Sequence, residues 1–251
     1  MNAFSFPSPS PFKLRLFWLL WLGGMAGVMS LLALPVSLPA DVAIPVALVR
    51  LAIVLQPTVL LTVAVFTGVQ LAPLVGLKAP VAQALAGRKR WGAALRPQVI
   101  PGLAGGIASG SLLVILTAIA PQFSPNYLAA PPPLVVRLLY GGITEELLVR
   151  WGVMTFLVWI GWRFVQRQRG RPSDRWIMVA IGLSAGLFAL AHLPFAIAVG
   201  VPLTVPLLAI LLVQNALFAL VAGYLFWRYG LEAAVIAHWA VHGVLAVLPW
   251  L

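Results

Sequence analysis

Residues 46–75 read VALVRLAIVLQPTVLLTVAVFTGVQLAPLV, a run with one charged side chain, Arg50. A helix needs roughly 18–20 consecutive apolar residues to cross the hydrocarbon core of a bilayer, and this run is longer. A transmembrane β-barrel would instead show short segments of alternating polarity. Because the run is too long for one straight crossing, Gln56 and Pro57 are predicted to divide it into an interfacial piece and a true span.

The composition of the whole chain is that of an integral membrane protein. Hydrophobic residues are 62% of its 251 positions and charged residues are 8%, against roughly 45–50% and ~25% in soluble domains. So few charges cannot cover the surface of a soluble protein of this size. We therefore predict an all-α fold, a polytopic membrane helical bundle of about seven transmembrane helices. The predicted spans are residues 16–34, 46–75, 99–120, 134–162, 176–192, 203–227 and 231–248.

The basic residues predict the orientation of the chain. Sixteen Lys and Arg against five Asp and Glu would favour nucleic acid as the partner of a soluble protein. Here they gather at the ends of the apolar runs, mainly in residues 78–96 and 163–175, where they act as topology signals and contact lipid headgroups. No nucleic-acid-binding module is visible, so we expect membrane lipid and no nucleic acid as a partner. With seven spans, the positive-inside rule predicts a cytoplasmic N-terminus and an external C-terminus.

Glycines recur at every fourth position in two of the spans. They are Gly102, Gly106 and Gly110 in the third span, and Gly182 and Gly186 in the fifth. Such a stripe lets helix backbones approach closely, so tight packing is predicted at both places.

The histidines and two glutamates that are predicted to lie in the membrane occur in three short segments. These segments are TEELLVR at 144–150, FALAH at 188–192 and HWAVH at 238–242, and they hold all three histidines of the chain. A charged group in the bilayer costs at least about 2.5–3.5 kcal/mol. We therefore expect the three segments to converge on one wet cavity.

Helical spacing predicts which of these side chains pair. Glu146 and Arg150 are four apart, so they share a helix face and can form an ion pair. Glu145 points about 100° away from Glu146, which leaves it without a partner on its own helix. By the same spacing, His238 and His242 share one face, and the ring of Phe188 can pack against His192.

Carboxylates and imidazoles in one cavity favour hydrolysis. Glu145 as general base would activate a water that His192 helps to hold, while His238 and His242 would donate hydrogen bonds to the oxyanion of a tetrahedral intermediate. The alternative is a metal site built from the same four residues, since histidines at i and i+4 are also the spacing of zinc-binding helices. The chain has no cysteine, so thiolate ligands are excluded. The cofactor is therefore either none or a divalent metal such as zinc.

The three segments carry a family resemblance. The sequence resembles the CAAX-protease and bacteriocin-processing family of intramembrane proteases, which includes the Ras-converting endopeptidases and is marked by E-E-x-x-x-R, F-x-x-x-H and H-x-x-x-N. Glu145 to Arg150 match the first motif and Phe188 to His192 the second, whereas the third reads His238-x-x-x-His242. The stretch GYLFWRYGLEAA at 223–234 is also similar to the family's lead-in to that motif.

The resemblance implies a role for each site residue. Glu145 matches the catalytic glutamate and His192 its partner in holding the water, while His238 and His242 would stabilise the oxyanion. The same resemblance implies that Glu146, Arg150 and Phe188 shape the site or bind substrate. It covers about residues 134–248, so residues 134–251 are predicted to be the catalytic membrane core. Residues 1–15 would then be a cytoplasmic tail, and residues 16–133 the N-terminal transmembrane helices.

Three functions remain open on these residues. The first is an intramembrane endopeptidase that acts on a peptide or a membrane-protein substrate. The second is a non-catalytic scaffold, assembly or immunity factor with a membrane-protein assembly partner, since the family also includes such proteins. Proton-coupled transport is disfavoured, because the paired broken helices or inverted repeats of transporters are missing from the sequence. Short loops favour a bacterial cell (inner) membrane, where a prenylated substrate is not expected.

Overall fold

The computed structural model describes residues 10–36, 44–119, 131–198 and 204–247, and these form helices and loops with no β-strand among them. This confirms the all-α prediction. In chain order the helices are α1 Pro11–Ser30, α2 Val46–Val75, α3 Pro80–Ala86, α4 Gly92–Ile119, α5 Leu134–Val165, α6 Asp174–Ala191, α7 Leu193–Ala198, α8 Val205–Arg228 and α9 Leu231–Val247.

The helices confirm a polytopic membrane protein. Six of them, counting α6 with α7 as one, are long and apolar enough to cross a membrane, and α9 is a shorter apolar helix at the position of the seventh predicted span. Residues 120, 203 and 248, where three predicted spans begin or end, lie outside the described residues. Helix α1 begins at Pro11 rather than at residue 16, because the Ser10 hydroxyl accepts a hydrogen bond from Lys13 N (3.3 Å) and proline suits the first helical position.

The predicted division of residues 46–75 is wrong. Helix α2 runs unbroken through Pro57 for 30 residues, about 45 Å at 1.5 Å per residue. A proline removes one backbone hydrogen bond, but away from water every other backbone group still needs a partner within the helix. The helix therefore continues, and Thr58 Oγ1 adds a bond to the Val54 carbonyl (2.7 Å) beside the proline.

Helix α5 is the centre of the bundle and contains wide turns. Residues 137–145, 147–154 and 161–165 form π-helical turns, with i→i+5 backbone bonds. The Thr144 hydroxyl, fully buried, donates to the Gly24 carbonyl (2.7 Å) and ties α5 to α1. A π-helical turn contains more residues than an α-helical one. The rotation about the helix axis from one side chain to the next is therefore smaller than the ~100° of an α-helix.

Close packing occurs at one of the two glycine stripes. A Cβ placed on Gly102 would lie 2.8 Å from the Ala233 carbonyl, and one on Gly110 would lie 2.9 Å from Val244 Cβ. Helices α4 and α9 are therefore in backbone contact, as predicted. The prediction is wrong for Gly182 and Gly186, around which no described atom lies within 4 Å of a Cβ. The buried face of α6 is instead formed by Ile177, Ala180, Ile181, Ser184, Ala185, Phe188 and Ala189.

Candidate active site

Glu146 is the buried link between α5 and α9. Its side chain is 0% exposed. Oε2 lies 3.1 Å from Arg150 Nε, which is the ion pair expected from the spacing. Oε1 lies 2.8 Å from Nδ1 of His238, a contact between two helices that the spacing did not predict. The carboxylate therefore holds a cation on its own helix and an imidazole on another.

Arg150 extends this link to α6 and α8. Nη2 donates to the Ala219 carbonyl (3.1 Å) on α8. The guanidinium carbon lies 4.8 Å from the ring centre of Phe188 on α6 and 5.7 Å from that of Phe218 on α8. Both distances are within the range of cation–π attraction. A charge that is 1% exposed is thus held by one carboxylate, one carbonyl and two ring faces.

The three imidazoles lie in an aromatic cluster beside this pair. Phe188 packs edge-on against His192, with ring centres 4.6 Å apart, and the Phe188 carbonyl lies 2.8 Å from His192 Nδ1. A carbonyl only accepts, so His192 carries a proton on Nδ1. His238 and His242 stack at 4.9 Å, and Phe218 lies 4.5 Å from His238. The ring centres of Phe188 and His238 are 6.3 Å apart, so the second and third motifs meet at these two rings.

Gly141 leaves room for two imidazole nitrogens above α5. A Cβ at this position would lie 2.9 Å from Nε2 of His242 and 3.6 Å from Nε2 of His238. Any larger residue would fill the space that the two nitrogens face. Gly141 therefore places no side chain between the backbone of α5 and the two imidazoles of α9, four residues before Glu145.

Glu145 differs from its neighbour in its surroundings. Its side chain is partly exposed, and it lies within electrostatic range of the Arg150 guanidinium and the Tyr140 hydroxyl. Among the described residues it makes no hydrogen bond or ion pair with any of the three histidines. Within the described parts of the chain, no hydrogen bond or ion pair to another side chain holds its carboxylate oxygens either.

The candidate metal ligands do not form a metal centre in this arrangement. Within the described parts of the chain, no three His, Asp or Glu side chains are grouped so that they could hold a metal ion. His192 Nδ1 is bonded to a carbonyl and His238 Nδ1 to Glu146. These contacts leave Nε2 of both rings available, as in metal-bound histidines, so only the lack of a grouping among the described donors speaks against a metal centre.

Two residues of the site were not predicted from the sequence. Phe218 lies against both Arg150 and His238, and nothing in the apolar run of α8 distinguishes it. Arg137 belongs to none of the three motifs, but its Nη2 donates to the His242 carbonyl (3.1 Å). The sequence does contain a signal for Arg137, because an arginine inside a predicted span needs a polar partner in the bundle.

The comparisons with known proteins agree with the motifs. Residues 127–244 match the family model described as type II CAAX prenyl endopeptidase Rce1-like. No curated protein and no solved structure matches the chain at a significant level. The matched segment spans the part of the chain from before α5 into α9, which holds all seven predicted site residues. Over residues 127–244, just under half of the chain, the sequence is therefore similar to the Rce1-like family of type II CAAX prenyl endopeptidases.

Proposed function

We propose that the protein is a membrane-embedded endopeptidase that hydrolyses a bond in a peptide or a membrane-protein segment, with Glu145 as general base. The observation that carries this proposal is the difference between the two adjacent glutamates. Glu146 is fully buried with a partner on each oxygen, whereas Glu145 is partly exposed and, among the described residues, bonded to no other side chain. Carboxylates in such different surroundings are suited to different roles.

The proposed reaction is a hydrolysis with general-base catalysis. A water held with the help of His192 loses a proton to Glu145, and its oxygen attacks the scissile carbonyl. The oxyanion accepts hydrogen bonds from Nε2–H of His242 and, when its ring carries both protons, from Nε2–H of His238. Collapse of the intermediate breaks the C–N bond, and the leaving amine takes the proton back from Glu145. Arg150 and Phe188 keep Glu146 and His192 in place.

We also propose the orientation expected from the basic residues, in a bacterial cell membrane. Arg15 Nη1 donates to the Ala86 carbonyl (3.2 Å), and Leu231 N donates to the Lys78 carbonyl (3.0 Å). The start of α1, the loop region around α3 and the junction of α8 with α9 therefore lie at one end of the bundle. That arrangement supports a common, cytoplasmic side for these basic segments.

Hydrolysis can be tested without knowing the natural substrate. The purified protein in lipid nanodiscs is incubated with a peptide library in H₂¹⁸O, and new termini are identified by mass spectrometry. We expect cleaved peptides with ¹⁸O in the new carboxylate, and we expect Glu145→Gln to reduce their formation by roughly 10²–10⁴-fold, the usual share of a general base.

Two outcomes would contradict this proposal. Equal cleavage by Glu145→Gln would remove Glu145 from the chemistry. The second outcome is complementation by Glu145→Ala. If this variant gave cells that lack the protein the full wild-type phenotype, the protein would act without catalysis, as a scaffold or immunity factor.

A further inference from the structure

Arg137 reaches from the start of α5 to a single residue of α9. Its Nε lies 3.5 Å from Nδ1 of His242, and its Nη2 donates to the His242 carbonyl at 3.1 Å. Both Arg137 and His242 are partly buried. One guanidinium therefore contacts the ring and the backbone of the same histidine.

The ring contact determines which nitrogen of His242 carries the proton. A guanidinium has five N–H donors and no acceptor, so Nδ1 of His242 has to accept. In a neutral imidazole the proton is then on Nε2, the nitrogen that lies over the bare backbone of Gly141. Arg137 thus turns an N–H donor toward the site.

The neighbouring histidine has the opposite contact. Nδ1 of His238 lies 2.8 Å from Oε1 of Glu146, and an ionised carboxylate only accepts. His238 therefore carries its proton on Nδ1 when neutral. Two rings that stack at 4.9 Å are held in opposite tautomers by an anion and a cation of the same helix.

The other ionisable groups near His242 do not compete for this role. His238 and His192 lie within electrostatic range of its ring. Among the described residues, neither is hydrogen-bonded to it, and their own Nδ1 atoms bond to the Phe188 carbonyl and to Glu146. Arg137 is therefore the group that distinguishes the two nitrogens of His242.

We propose that Arg137 is a positioning residue that fixes His242 in the Nε2–H tautomer, so that this histidine acts as a hydrogen-bond donor to the reacting carbonyl. The tautomer itself follows from the contacts alone, whereas its effect on turnover rests on the proposed function. The two parts can therefore be measured separately.

The first measurement is of the tautomer. Protein labelled with ¹⁵N-histidine is placed in nanodiscs, and the ring nitrogens are observed by NMR, with His242 assigned as the signal lost in His242→Asn. We expect a single Nε2–H form in the wild type and in Arg137→Lys, which keeps a donor. In Arg137→Met, which keeps bulk but has no donor, we expect a mixture of tautomers. Nδ1–H at His242 in the wild type, or an unchanged signal in Arg137→Met, would overturn the proposal.

The second measurement is of turnover, with the peptides that the wild type cleaves. Loss of one oxyanion donor lowers kcat by roughly 10²–10³-fold, so Arg137→Met should lower kcat by about 10-fold or more with little change in KM. Asparagine always presents an N–H donor and has no tautomers. In the His242→Asn background, Arg137→Met should therefore change kcat by less than about two-fold. An equal loss in both backgrounds would show that Arg137 acts in another way.

Arg50→Met is the matched control, because Arg50 is an exposed arginine near the start of α2 and lies on none of the site helices. It should change neither the His242 signal nor kcat, and a change in either would make the effects of Arg137→Met non-specific. Absence of cleavage by the wild type would refute the proposed function, while the NMR result would still decide the tautomer.

Discussion

Glu146 has a partner on each carboxylate oxygen, Arg150 on Oε2 and His238 on Oε1. Removing its charge would leave a guanidinium that is 1% exposed without its counter-ion. Breaking a buried ion pair by losing one partner costs about 3–5 kcal/mol, because the remaining charge is uncompensated. The intact ion pair therefore stabilises the folded state more than either charged side chain would without its partner.

This predicts that Glu146→Gln lowers the free energy of unfolding by about 3–5 kcal/mol. Thermal unfolding in detergent, followed by the intrinsic fluorescence of the tryptophans, measures the change. The matched control is Glu145→Gln, one position away on a partly exposed carboxylate, which should unfold close to the wild-type temperature. Equal stability of the two variants would contradict a structural role for Glu146.

Spacing along one helix predicted several contacts of the site but not those between helices. Glu146 with Arg150 and Phe188 with His192 are four residues apart, so helical geometry alone brings them together. The bonds from His238 to Glu146 and from Arg137 to His242 depend on the axial register of α5 against α9. Hydropathy contains no information on that register, so these two contacts could not be predicted.

Helices α4 and α9 meet along Gly102, Gly106 and Gly110, where a Cβ at Gly106 would contact the Ala237 carbonyl and Ala240 Cβ. Backbone atoms cannot move aside as a flexible side chain can, so added bulk has to separate the helices. This contact also sets the position of His238, which follows Ala237 directly. The glycine stripe on α4 therefore helps to fix the position of the two α9 imidazoles along the axis of the bundle.

We expect Gly106→Ala to destabilise the protein by about 1–3 kcal/mol, the usual cost of overpacking. Gly182→Ala is the comparison, since that position is open and alanine is favoured over glycine in a helix by roughly 0.5–1 kcal/mol. Chemical or thermal unfolding of both variants in detergent tests the pair. A Gly106→Ala protein as stable as Gly182→Ala would show that α4 and α9 are not in close contact.

The fold class was predictable because overall composition and the length of the apolar runs each reflect many residues, so no single position decides them. The helix boundaries were predicted less closely, since α1 begins at Pro11 and not at residue 16: its Ser10 cap and first proline precede the apolar run on which the prediction was based. The unbroken α2 was not predicted, because the effect of Pro57 depends on the surroundings of the helix and not on the proline alone.

The bundle has one end at which the start of α1, the region around α3 and the junction of α8 with α9 are joined by hydrogen bonds. With seven crossings, residues 163–175 return to that same end, while residues 131–133 precede α5 at the opposite one. The proposed orientation makes the first end cytoplasmic.

Cysteine labelling tests this orientation, because the chain supplies no background thiol. A membrane-impermeant thiol reagent added to intact cells should modify Pro132→Cys and should leave Lys89→Cys and Arg169→Cys unmodified. Permeabilised cells, in which all three should react, are the control. Labelling of Lys89→Cys or Arg169→Cys from outside would reverse the orientation.

The pairing of Glu146 with Arg150 within α5 bears on how the protein is made. The ribosome completes α5 before α9, so His238 does not yet exist when α5 leaves the translocon. Glu146 and Arg150 are on the same helical face and can enter lipid together as a neutral pair, which reduces the insertion cost of each. Arg137, at the start of the same helix, can keep its charge at the interface until α9 arrives. The order of synthesis is thus compatible with a site whose remaining polar contacts form only when the last helix is in place.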